Sequence, residues 1–412
     1  MSTVSTYAAA VTVIERLLAH GHSAWIVGGA VRDHLLGQPI EEATEIDITT
    51  DARPDRLAEL FKSTLPIGKA FGVMQVRTCG RWFEVATFRS DGAYRDGRRP
   101  EEVRFGTVEE DVQRRDFTVN ALLFDVRQRT VLDLIGGRRD LELRLIRCIG
   151  DPAARFGEDA LRLLRAVRFG TSADFTIEAA TLAAIAECRE RMTLVAGERI
   201  HDELRKIAER PLARRGDALR TLAATGLARF TLPGASFAAV EEQALCADRL
   251  QQRSLTAFLA VVLRVPFFET RRELGRRCEQ LCVALRLSRE EARTLEELLA
   301  SRRRYAALGD CSLARQRLLA TRPGACLHED LLCAEGGAAG ILARLEALRQ
   351  THGHELPAPL CDGNDLMALG LPRGRDLGHW LRRLRWSQLE GRIKTREDAV
   401  RILVQRGLIN SP

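Results

Sequence analysis

Lysine is nearly missing from this 412-residue chain: Lys62, Lys69, Lys206 and Lys394 are the only four, so almost all positive charge is arginine. Histidine is also scarce, at eight residues, and none of the ten cysteines falls in a Cys-x-x-Cys pair. These two shortages argue against a zinc site, whose ligands come as closely spaced Cys and His pairs. Cys278 and Cys282 are the one near pair, four apart in a helical stretch, and scattered single thiols suit a reducing compartment. No uninterrupted apolar run approaches membrane-spanning length. Met1-Ser2-Thr3 opens no basic-then-apolar leader. The absences point to a soluble, cytoplasmic protein.

What is present is an ordinary globular composition, 45% hydrophobic, with a net charge of +7 and a pI near 9.0. The length allows two to four domains. A basic surplus favours a polyanionic partner, and arginine suits bidentate phosphate contacts and stacking on bases. A general arginine bias would give the same composition.

Thr6 to Ala19 has helical apolar spacing, and Ala24–Val27, Glu45–Thr49, Gly72–Thr78 and Trp82–Phe88 read as strands. Pro54 to Phe61 reads as a helix between two of them. Together they predict a short mixed sheet with helices. Ser90 to Phe105 is polar, arginine-rich and carries Gly92, Gly97 and Pro100, the pattern of a loop. From Asp159 onward the pattern becomes amphipathic helices, broken near Pro211, Pro233, Pro266, Pro323 and Pro359.

The most informative stretch runs from Ile26 to Thr50, IVGGAVRDHLLGQPIEEATEIDITT. Gly28 and Gly29 let backbone N–H groups approach an anion before a helix opened by Arg32 and Asp33. Residues two apart on a strand share a face, so Glu45 and Asp47 project together while Ile46 turns to the core. Glu84, on a strand that can lie beside this one, offers a third carboxylate. Such acids can share hard divalent cations with a nucleoside triphosphate. The competing readings are solvated acids on strand ends and a tight turn that merely needs glycine. Lys69 and Arg77 either add phosphate charge or are solvated ends.

Two further segments join this one. Arg114 to Ala121 reads RRDFTVNA, and Glu158-Asp159-Ala160-Leu161-Arg162 is followed by Arg165 and Arg168. Asp159, Arg162, Arg165 and Arg168 recur at helical spacing, which predicts one face of a single helix. A salt-bridged, solvated face has the same spacing.

With GGxVRDxLLG and the carboxylate-x-carboxylate-x-Thr that follows, these segments resemble the bacterial-type (class II) tRNA nucleotidyltransferase and poly(A) polymerase family, over roughly the first 210 residues. The resemblance implies an α+β protein. A polymerase-β-like nucleotidyltransferase head, a short mixed sheet with helices, would occupy residues 1–150. An all-helical neck (151–225), body (226–350) and tail (351–412) would follow. It implies template-independent addition of CMP, CMP and AMP, from CTP and ATP, to the 3′ end of tRNA, with Mg²⁺ and with no DNA or membrane partner. Glu45, Asp47 and Glu84 would be catalytic, with Glu45 and Asp47 on the metal. Gly28, Gly29, Arg32, Arg115, Asp116, Asn120, Asp159, Arg162, Arg165 and Arg168 would bind the nucleotide, with Asp159 and Arg162 reading the base.

The Ser90–Phe105 loop resembles the loop that helps switch specificity from CTP to ATP. Ile67 to Val73 resembles the CCA-adding type. Asn364 reads as a helix cap, and Arg382, Arg383, Arg385, Arg392 and Arg396 would meet the tRNA backbone. The chain departs from the family in carrying Glu45 where aspartate is usual, after a spacer about three residues longer, with Glu41, Glu42 and Thr44. A-only addition, poly(A) synthesis and an RNA-binding paralogue with weakened transfer are the alternatives.

Overall fold

Pairing of short apolar strands sets the first layer of this computed structural model, which describes residues 4–68, 71–91, 103–172, 174–211, 214–264, 270–322, 324–336 and 339–409. They form two compact units, Met1–Ala244 with Val265–Leu287, and Leu245–Arg264 with Ser288–Pro412.

The first unit holds β1 (Ala24–Val27), β2 (Asp47–Thr50), β3 (Thr64–Gly68), β4 (Val73–Thr78), β5 (Arg81–Thr87), β6 (Arg89–Asp91), β7 (Val103–Phe105), β8 (Leu123–Asp125) and β9 (Thr130–Leu132). Seven of these make one sheet in the order β3-β4-β5-β2-β1-β8-β9. β2 and β5 are parallel and the other pairs antiparallel, so the sheet is mixed, as the sequence pattern predicts. Ile26, Ile48, Val76, Phe83 and Val85 are buried along it. Helix α1 (Thr6–Ala19) is capped by Ser5, whose hydroxyl accepts the Ala8 amide at 3.1 Å. Its stripe of Ala9, Ala10, Val13, Ile14 and Leu17 is fully buried, and it packs on β1, β4 and β5. That burial is the main force holding helix to sheet.

Five of these strands, β3 and β6 to β9, escape the sequence pattern. β3 contains Pro66, which cannot donate to a ladder, and accordingly lies at the sheet edge. β8 and β9 have three residues each, too few for a period to register. β6 and β7 pair antiparallel at the two ends of the Ser90–Phe105 segment, and residues 92–102 between them lie outside the described residues. β2 starts at Asp47, not Glu45, so Glu45 precedes the strand.

After α2 (Gly29–Leu35), α3 (Pro54–Leu60), α4 (Val108–Gln113) and α5 (Gly137–Glu142), the chain turns helical. Gly137 starts α5 so close to Thr118 that a Cβ there would lie 2.4 Å from its carbonyl oxygen. α6 (Pro152–Glu158) is capped by Asp151 and ends where Asp159 turns extended (φ −138°, ψ 104°). α7 (Leu161–Gly170) then begins afresh, followed by α8 (Ala179–Cys188) and α9 (Gly197–Glu209). Asp159 is therefore at a junction and not on one helix with Arg162, Arg165 and Arg168, which corrects the single-helix expectation.

The second unit is helical in its described residues. Tyr305, Leu308, Leu319, Leu332 and Leu345 make one core cluster, and Leu366, Trp380, Leu384, Ala399 and Leu403 another. Asp362, not Asn364, caps Gly363–Ala368, in a reciprocal box with Asp365. Asp330, 6% exposed, accepts the amides of Gln251 and Gln252, both at 2.8 Å. In the first unit, the sulfurs of Cys278 and Cys282 lie 4.0 Å apart. No helix among the described residues is long and apolar enough to cross a membrane.

Candidate functional site

The β1–β2 register sets Val27 opposite Asp47, and the next residue, Gly28, takes φ +82° and ψ −137°. Only glycine is at ease there. A Cβ on Gly28 would stand 3.6 Å from the Asp47 carboxylate, so the glycine leaves that flank of Asp47 open to a ligand. Parallel pairing of Ile48 with Val85 sets Asp47 beside Glu84, both on the side opposite those buried side chains. Glu45 lies just upstream, exposed, with Ile46 buried beneath it.

The three acids share one electrostatic field. Desolvation, then repulsion from Glu84 and Glu45, pushes the Asp47 carboxyl up to about 6, while Arg115 pulls it down. Glu84 is raised by desolvation and by Glu45, again opposed by Arg115. Asp47 is nevertheless solvent-accessible. Water that reaches its oxygens screens part of that repulsion. Negative charge thus accumulates with incomplete compensation, the condition a cation relieves. Among the described residues no group of three or more His, Cys, Asp or Glu side chains is gathered closely enough to hold a metal. Glu84 therefore joins the field without completing a three-acid cluster. A hard cation here would take Glu45 and Asp47 and fill its remaining positions with water or substrate oxygens.

Behind the acids lies a run of buried, paired charges. Arg32, 6% exposed, donates to Asp33 at 2.9 Å and to the Asn120 side-chain oxygen at 2.8 Å, and its guanidinium sits 5.3 Å over the Phe169 ring. It stands in the last turn of α2 rather than opening it. Asn120 donates to Asp116 at 3.3 Å, and Arg165 closes on Asp116 with two donors at 2.9 and 2.5 Å. Burial alone would raise Asp116. Arg165, with Arg162 and the Phe117 amide, overcomes it and holds the carboxyl down at about 2.

Arg115 and Arg114 are both held by Asp111, at 2.9 and 2.6 Å. Asp111 is fully buried. Its desolvation is outweighed by the two arginines, which hold it below the usual carboxylate range. Arg168 contacts buried Glu203 at 2.6 Å and lies 4.0 Å over the Phe169 ring. Burial brings its guanidinium down to about 10, against the pull of Glu203.

The two expected base readers are separately held. Arg162 donates to Glu158 at 2.6 Å and to the Arg114 carbonyl at 2.8 Å. Asp159 accepts from Arg199 at 2.9 and 3.2 Å and from the Leu161 amide at 3.0 Å. Arg77 faces Trp82 at 5.8 Å, and Lys69 lies outside the described residues. Sequence reading missed Asp111, Arg199 and Glu203, and named Glu158 only as part of its motif. Asp111 and Glu158 stand three or four residues before the arginines they hold, a readable helical spacing. Arg199 and Glu203 come from α9, tens of residues away, and leave no local sign.

Two family models match the chain: the Poly A polymerase head domain over residues 24–147, and the Probable RNA and SrmB-binding site of polymerase A over residues 174–238. The CCA-adding enzyme of Geobacillus thermodenitrificans (strain NG80-2) is 44% identical over 226 residues, 55% of this chain and 54% of that protein. That of Staphylococcus saprophyticus is 43% identical over 206 residues, 50% of this chain and 51% of its own. The chain thus spans about half the length of the curated relatives it matches. The Bacillus stearothermophilus CCA-adding enzyme in complex with CTP superposes with a TM-score of 0.77, covering 97% of both chains at 27% identity. The Thermotoga maritima CCA-adding enzyme, complexed with tRNA, shares the fold at a TM-score of 0.70 and 20% identity, over 98% of this chain and 97% of that one.

Proposed function

This chain belongs to the bacterial-type (class II) CCA-adding tRNA nucleotidyltransferase and poly(A) polymerase family, and from that premise we propose that it adds CMP, CMP and AMP, from CTP and ATP and without a template, to the 3′ end of tRNA. The observation that carries the proposal is the setting of Asp47 beside Glu84 by the β2–β5 pairing and against the Gly28 turn, with Glu45 and Arg115 in the same field.

In this reading Glu45 and Asp47 hold a divalent cation, Mg²⁺, and Glu84 adds to the field that attracts it. When bound, the ion supplies charge neutralisation for the triphosphate and a lowered pKa for the attacking 3′-hydroxyl. Gly28 and Gly29 leave room for the phosphates. Arg115, oriented by Asp111, faces the same carboxylates and offers donors to phosphate oxygens. Arg32, Asn120, Asp116 and Arg165 act as a brace that fixes the ribose side of the site, since their polar groups are largely taken up by one another. Arg168 secures α7 through Glu203. Asp159 and Arg162 present an acceptor and donors to the base edge. Head, neck, body and tail keep the boundaries given above, with Arg382, Arg383, Arg385, Arg392 and Arg396 of the tail gripping the tRNA backbone in a salt-dependent way.

The test is extension of tRNA acceptors ending at each successive position, with one nucleotide at a time and a divalent ion. The expected result is C, C and then A. Adding only A, or many A residues, would replace CCA addition with the corresponding narrower activity. Absence of any extension overturns the proposal.

A further inference from the structure

Asp159 has no helix to fix its side chain, because its backbone is extended between α6 and α7. Its orientation is set by three donors instead. The Leu161 amide reaches Oδ1 at 3.0 Å, Arg199 Nη1 reaches the same oxygen at 3.2 Å, and Arg199 Nη2 reaches Oδ2 at 2.9 Å. We infer that Arg199 is a positioning residue for base selection, acting through Asp159. The inference rests on the nucleotidyl-transfer reading above and deepens it.

A carboxylate offers about four acceptor positions. The three protein donors fill all but one, and the one left lies on Oδ2. A guanidinium that grips both oxygens also fixes the carboxylate plane, so the free lone pair points one way. Cytosine and adenine both carry an exocyclic amine on their pairing edge, whereas uracil and guanine carry a carbonyl oxygen at the corresponding place. A single aimed lone pair accepts the amine and repels the oxygen. It therefore selects the two bases this reaction needs against the other two, with no change of protein groups between them. Arg199 is well placed to hold such an aim. It sits in the first turn of α9, three-quarters shielded. Gly197 two residues earlier lies so close to Ala284 that a Cβ would stand 2.0 Å from its carbonyl oxygen. The start of α9 is pressed against main chain, leaving Arg199 little freedom to drift.

The experiment uses the full chain and its Arg199→Met and Arg199→Lys variants. kcat and KM are measured for CTP, UTP, ATP and GTP on tRNA acceptors ending before each position, with thermal unfolding followed alongside. Arg199→Met is expected to lower the CTP-over-UTP and ATP-over-GTP preferences by about tenfold, the size of one lost hydrogen bond's worth of aim. The change should fall mainly in nucleotide KM. Arg199→Lys, which keeps the charge but not the two-point grip, should recover part of the preference. Equal loss with all four nucleotides, at unchanged ratios, would mean that Arg199 only supports the fold and would overturn the inference. Should Arg199→Met fail to fold, unchanged ratios in Arg199→Lys overturn it equally. A wild-type protein that extends nothing sinks the transfer reading itself, whereas a transferring wild type with an indifferent Arg199 sinks this inference alone.

Discussion

Buried carboxylates occur in both units but serve different partners. In the first unit Asp111, Asp116 and Glu203 are at most 9% exposed; the first two accept arginine side chains that border the site, and Glu203 makes an ion pair with Arg168. In the second unit the buried Asp330 accepts two main-chain amides at the head of the helix Leu255–Arg264. Arginines there pair with carboxylates that are half-buried or exposed, as Arg322 with Glu297 at 2.6 Å and the exposed Arg396 with Asp365 at 2.6 Å. A buried acid that meets backbone stabilises a local fold. A buried acid that meets a long, charged side chain fixes where that charge points. The second arrangement suits a site that must present cations to a polyanion without letting them wander.

The sharpest way to break this contrast is Asp47→Asn. Extension should fall by more than about a hundredfold if Asp47 holds the ion as proposed, since even outer partners of a metal are worth ten- to a hundredfold. Metal-free protein should meanwhile melt about 1–2 °C higher, because a carboxylate repelled by its neighbours and partly screened by solvent has been removed. A lower melting point would contradict the crowding of charge at Asp47.

Asp116→Ala comes next. It leaves the half-buried Arg165 without its two-donor acceptor and should cost about 1–3 kcal/mol of stability by denaturant unfolding, with extension lost in the same variant. Retention of full stability would show that Arg165 finds water or another acceptor. Asp330→Ala should cost roughly 1–3 kcal/mol while nucleotide KM in the surviving folded fraction stays at the wild-type value. A shift in that KM would erase the distinction between the units. Arg396→Ala, which removes the partner of Asp365 in an exposed pair, should change stability by no more than about 1 kcal/mol.

The same contrast within the site separates by pH. Asp47 titrates near 6 when folded, above its ordinary 3.8, so its ionisation weakens the fold as pH rises through that range. Cation binding runs the other way and should weaken as pH falls below about 6, read by metal titration of the protein alone. Asp116, held at about 2, contributes stability that is present above 3.8 and lost as pH falls from there toward 2.

Much of this site could be read from the chain because its key signals are local. The glycine pair, the alternation that turns Ile46 inward from Glu45 and Asp47, and the Arg-Arg-Asp segment each express one turn or one strand. The mixed sheet was legible for the same reason, through period-two strands of four residues or more. Two kinds of feature were not legible. Spacing of three is the same on paper whether or not the chain leaves the helix between members, so Asp159 looked like a companion of Arg162. Partners from distant segments leave no trace in a window, so Arg199 and Glu203 surfaced only once α9 was laid beside α7. Family context, not periodicity, gave Asp159, Arg162 and Arg115 their expected roles.

The run from Arg32 through Asn120 and Asp116 to Arg165 has a practical consequence for anyone splicing this protein with a relative. Its members come from three separate stretches, and each satisfies the next with specific hydrogen bonds. A crossover placed between residues 33 and 115, or between 121 and 164, exchanges one end of the run without the other. Hybrids will tolerate such a junction only where the donor chain carries side chains of the same length and polarity at all four positions.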